Sequence, residues 1–108
     1  MLPQDLKIGH AYYRVTYADP QLTIPGVMPM IYVGSNISAD DIPEVIVHYF
    51  QDTTSHSWRG PVTGARHQTE HPEVETALFP HSEAQVQRDV MTLGDVISTL
   101  TQVHARGR

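Results

Sequence analysis

The stretch Glu44–Asp52 carries two interleaved sets of side chains at strand spacing. Val45, Val47 and Tyr49 share one face, and Ile46, His48 and Phe50 the other. Nearly all are β-branched or aromatic, which predicts a strand in the middle of a sheet or in the wall of a small barrel. Ala11–Tyr17 alternates differently: Ala11, Tyr13, Val15 and Tyr17 are expected on the buried face, with Tyr12, Arg14 and Thr16 toward solvent. Met30–Val33 reads as another strand, bulged or broken at Gly34–Asn36. Before it, Gln21–Pro29 contains Pro25, Gly26 and Pro29, which predicts an irregular connection. Its Leu22, Ile24, Val27 and Met28 are then expected to cap one end of the core.

Asp52–Ser55 reads as a turn into a hairpin strand, Ser55–Arg59, which would set Tyr49 opposite Trp58 and His48 opposite Arg59. Residues 60–75 show no apolar period and carry two prolines and two glycines, as a flexible surface loop would. Thr76–Pro80 is expected as a short strand or an anchor for Leu78 and Phe79. At the C-terminus, Thr92 and Asp95 make a capping-box-like start, and Leu93, Val96, Ile97, Leu100 and Val103 form one apolar stripe. A helix over about 92–105 follows. Residues 83–91 read in two ways. Ser82 and Gln85 form a capping box of their own, and Val86 and Val90 extend the stripe, but Gly94 would cost one long helix about 1 kcal/mol relative to alanine. A short strand closing the sheet is preferred.

Together these elements describe a single domain over 1–108, mainly β within the α+β class. The expected form is a small, strongly bent antiparallel sheet, or an SH3-like barrel, of four or five strands with a C-terminal helix. The order of elements resembles SH3-like barrels flanked by a helix. That likeness concerns element order alone, and such folds host many unrelated functions.

Composition narrows the function more than the pattern does. Twelve acidic against seven basic residues give a net charge of −5, and no basic face is visible, so nucleic acid is not expected as a partner. Only the tail His104–Arg108 is locally basic, as suits a helix C-terminus. The absence of cysteine removes thiol nucleophiles and thiolate metal sites. No apolar run is long enough to span a bilayer and no signal peptide is evident, which leaves a cytoplasmic location as the default. Seven histidines are many for this length.

His67-Gln-Thr-Glu-His71 matches His-x-x-Glu-His, a zinc-peptidase arrangement that needs both imidazoles on one helix. Pro72 disfavours helix at His71, and a polar loop is the preferred reading, so no metal is assigned and His67 and His71 remain marginal candidates. His48 in an apolar strand face is a stronger candidate, because its protonation is easily moved. If a ligand pocket exists, Tyr13, Tyr32, His48 and Trp58 are expected around it. No catalytic set and no cofactor are predicted. The expected function is a non-catalytic binding or interaction module whose partner is another protein or a second copy of the chain. A small histidine- or metal-dependent enzyme built near His48 is the alternative.

Overall fold

The computed structural model describes residues 1–107, so Arg108 of the basic tail lies outside the described residues. A short 3-10 turn, Pro3–Asp5, leads into β1 (Ala11–Tyr17), β2 (Pro25–Ser35) and β3 (Val47–Asp52). Two helices follow, α1 (Thr53–Arg59) and α2 (Arg66–Thr69), then β4 (Leu78–Ser82), α3 (Glu83–Asp89) and α4 (Leu93–Arg106). The strands form one curled antiparallel sheet in sequence order, β1-β2-β3-β4, with α4 as the predicted C-terminal helix. The predicted fold class holds, and β3, the expected organising strand, is an interior one.

Several elements differ from the sequence reading. The segment expected as a loop after residue 20 instead becomes strand from Pro25 onward, and the position of its prolines shows why. Tyr13 exchanges backbone hydrogen bonds with Met91 (2.9 and 2.8 Å), so it faces away from β2, and its register partner Pro29 must face away from β1. Pro25, opposite Tyr17, has the same parity. Their missing N–H groups therefore fall outside the β1–β2 ladder, where proline is tolerated. At the other end of β2, pairing with β3 slips by one residue between Tyr32 and Gly34, and this bulge bends the strand. Gly34 has φ +128°, and a Cβ there would lie 3.3 Å from Ile37, so glycine suits this corner.

The hairpin strand predicted over Ser55–Arg59 is a helix. Asp52 accepts a hydrogen bond from the Ser55 N–H at 2.9 Å and caps α1, so the sequence Asp-Thr-Thr-Ser starts a helix rather than turning a hairpin. Residues 83–89 are likewise helical, contrary to the preferred strand. Ser82 and Gln85 form the full capping box, and Val90 ends the helix, so Gly94 never has to sit inside one long helix. The two faces of β1 are also exchanged: Tyr12 is buried while Ala11 is exposed.

Register explains that exchange. Tyr12 lies opposite Met30, Tyr32 opposite Phe50, and Phe50 opposite Phe79, so one sheet face carries them all. Tyr12, Met30, Tyr32 and Phe50 pack with Val86 and Val90 into the core. Alternation alone could not choose which face of β1 goes inward, because both faces carry tyrosine. Fully burying Phe50 or Val86 stabilises by roughly 1.5–3 kcal/mol each. Val86 and Val90 thus fasten α3 over the inner face of the sheet.

Candidate functional site

The inner face continues past Phe50 to His48, and its cross-strand partner on β4 is His81. The two strands present the same pair in mirror order, His48-Tyr-Phe50 against Phe79-Pro-His81, as antiparallel pairing requires. Phe50 meets the His81 ring edge-to-face at 5.0 Å. His48 and His81 are 6% and 3% exposed, so both imidazoles lie in the core rather than at its rim.

Their hydrogen bonds define the chemistry. His48 Nδ1 is 2.9 Å from the Tyr32 hydroxyl. His81 Nδ1 is 3.0 Å from the Phe79 carbonyl, which only accepts, so Nδ1 of neutral His81 carries the proton and Nε2 is a bare lone pair. Among the described residues, neither His48 Nε2 nor His81 Nε2 has a hydrogen-bond partner, and both atoms are buried. Glu83 Oε1, on the first turn of α3, lies 3.7 Å from His48 Nε2, within ion-pair reach but beyond a hydrogen bond. Arg14 pairs with Asp89 at 3.9 Å, and Arg88 with Asp89 at 3.0 Å, at the other end of α3. Burial pushes the His81 imidazole below the usual histidine range, with Arg14 and His48 adding to the effect. Burial also pushes the Tyr32 hydroxyl up, so it stays protonated and can donate.

Of the four residues predicted around a pocket, Tyr32 and His48 come together. Tyr13 sits on the opposite face of β1 from Tyr12, and its backbone rather than its ring makes the contact with Met91. Trp58 lies on α1, 53% exposed, with its ring edge-to-face on His71 at 4.9 Å. An open cleft of about 570 Å³ lies elsewhere, between Gln4, Lys7, His10, Tyr12 and Thr92. None of Tyr13, Tyr32, His48 or Trp58 lines it.

His67 and His71 do not share a helix face. α2 ends at Thr69, and His71 adopts φ +47°, outside the helical region, just before Pro72. His67 is buried with both ring nitrogens engaged, Nδ1 with the Gly60 carbonyl at 3.2 Å and Nε2 with the Thr76 hydroxyl at 3.0 Å. His71 pairs with Glu73 at 3.1 Å. Among the described residues no three His, Cys, Asp or Glu side chains are grouped so as to hold a metal ion.

Sequence reasoning missed His81 and Glu83. The mirrored His-x-Phe and Phe-x-His spacing is the signal that could have found His81. Using it required pairing β3 with β4, whereas the hairpin reading paired β3 with residues 55–59.

No helix among the described residues is long and apolar enough to cross a membrane. The chain matches no protein-family model, and no curated protein and no solved structure is significantly similar to it.

Proposed function

We propose that this protein is a non-catalytic binding module that acts by self-association, with the apolar face of α4 as the contact. One observation carries the reading. Val96 and Val103 of the α4 stripe are buried, yet Leu93 and Ile97, one helical turn apart, are 56% and 59% exposed. The stripe is therefore wider than the surface it covers within the chain. A helix face is self-complementary about a two-fold axis, which makes a second copy the simplest occupant. The alternative of a histidine-dependent enzyme at His48 has burial against it, because a substrate would have to reach an Nε2 that solvent does not.

Sedimentation over a wide concentration range tests this reading. The expected result is a concentration-dependent dimer that Ile97→Lys converts to monomer without loss of stability, since Ile97 is exposed. A wild-type protein that stays monomeric at every concentration would overturn it.

A further inference from the structure

Two imidazole nitrogens without hydrogen-bond partners among the described residues, inside a core, call for a physical explanation, because buried polar atoms are nearly always paired. The charged groups around them supply one. The Tyr32 hydroxyl faces the pair from β2, Arg14 from β1, and Glu83 and Asp89 from the two ends of α3. Asp89 already answers two arginines, Arg14 and Arg88. Glu83 has His48 as its ion-pair partner. A proton on His81 would be buried beside the Arg14 guanidinium, with the Asp89 carboxylate already engaged by two arginines.

We propose that His48 and His81 form a proton-sensing latch: with α3 closed over the sheet the buried pair has no room for a proton on His81, and taking one up releases α3. α3 is suited to such release. It is seven residues long, begins at Glu83 two residues after His81, and is held down chiefly by Val86 and Val90. Its departure would uncover the apolar face formed by Tyr12, Met30 and Phe50. The proposal is independent of the α4 contact.

The direction with pH follows from linkage. Free histidine protonates near 6.5, and burial lowers this for folded His81. Below that pH the opened form takes up a proton that the closed form refuses. Closure is thus fully favoured above about pH 6.5 and weakens as pH falls toward the folded value, by at most about tenfold per pH unit for one refused proton.

Hydrogen exchange on the full chain, corrected for intrinsic rates, reads this directly. The Val90 N–H bonds the Val86 carbonyl at 3.2 Å and reports α3, whereas the Tyr32 N–H, bonded to His10 at 3.1 Å, reports the sheet. Between pH 6 and pH 5 the opening constant at Val90 should rise several-fold, with about tenfold as the ceiling for one proton, while Tyr32 keeps its protection. His81→Phe, which keeps a ring against Phe50, should flatten the Val90 response. Should that variant fail to fold, Arg14→Gln serves: it removes a cation that disfavours the proton on His81, so the Val90 response should weaken and shift to lower pH. Protection at Val90 that does not change with pH, or that falls in step with Tyr32, overturns the latch.

Discussion

The polar groups on the two faces of β3 lie three residues apart and are both buried, but they differ in hydrogen-bond satisfaction. On one side, His48 faces His81 with both Nε2 atoms unpartnered. On the other, Gln51 is fully buried and satisfied. Its amide nitrogen donates to Ser55 Oγ at 2.9 Å and to the Gly60 carbonyl at 3.2 Å, and its carbonyl accepts from the Val62 N–H at 2.8 Å. Asp52 extends this network, accepting from Ser55 and from the Ala77 N–H at 2.9 Å. Arg59 completes it by donating to the carbonyls of His67, Glu70 and Val74 and to the Thr76 hydroxyl. Residues 60–77 are irregular apart from α2, but these bonds tether them along their length. A satisfied network of amides, hydroxyls, one carboxylate and one guanidinium fixes a shape, whereas an imidazole pair with two unpartnered nitrogens leaves a protonation state open.

The largest effect that would break this contrast is Gln51→Leu. The substitution fits the volume but strands the Val62 N–H and takes one donor each from the Gly60 carbonyl and the Ser55 hydroxyl, and should cost about 3 kcal/mol in denaturant unfolding. Arg59→Ala should cost about 2 kcal/mol by the same measure, because three carbonyls lose one charged donor but regain water. If either variant unfolds at the wild-type midpoint, the outer network is not what holds residues 60–77.

The sequence showed the two sides of β3 unequally. Its own alternation put His48 with Phe50, and the C-terminal helix was visible from Leu93, Val96 and Val103, because both depend on neighbours within one element. Asp52 was legible as a turn residue but not as a cap, since the same Asp-Thr-Thr-Ser string satisfies either until α1 finds packing partners. The site was half legible for the same reason. Tyr32 and His48 were named, but His81 enters only through the β3–β4 register, and Glu83 only once 83–89 is helix. Tyr13 and Trp58 are aromatic residues on strands that the sequence leads one to expect. The exchange of β1 faces and the helicity of α1 move both elsewhere.

Acid separates the two regions more finely than mutation does. Burial works to raise the Asp52 carboxyl, but hydrogen bonds from Ser55 and the Ala77 N–H outweigh it and hold the group below the usual aspartate range. A depressed carboxylate contributes stability that is present above about pH 4 and lost as pH falls through its folded value. The His81 contribution is lost higher, beginning near pH 6.5. His56, also lowered by burial and by Arg66, adds to that upper window from α1. Unfolding midpoints against pH should therefore fall in two steps. His81→Phe should remove part of the upper step and leave the lower, and Asp52→Asn the reverse. A single step erased by either change would mean that the two sides titrate as one unit.

The smallest expected effect concerns Trp58, the aromatic residue that stands outside both networks. Its ring is half exposed and meets His71 edge-to-face, and His71's own partner Glu73 is on the surface. An exposed aromatic pair of this kind is worth about 0.5 kcal/mol, so Trp58→Ala should shift the unfolding midpoint barely beyond error. The same substitution should leave both acid steps in place, because Trp58 touches neither Asp52 nor His81. A loss well above 1 kcal/mol would mean that the outer region extends through α1 to His71 and that residues 60–77 are held by packing as well as by Arg59. The contrast across β3 would then be one of apolar support rather than of hydrogen-bond satisfaction.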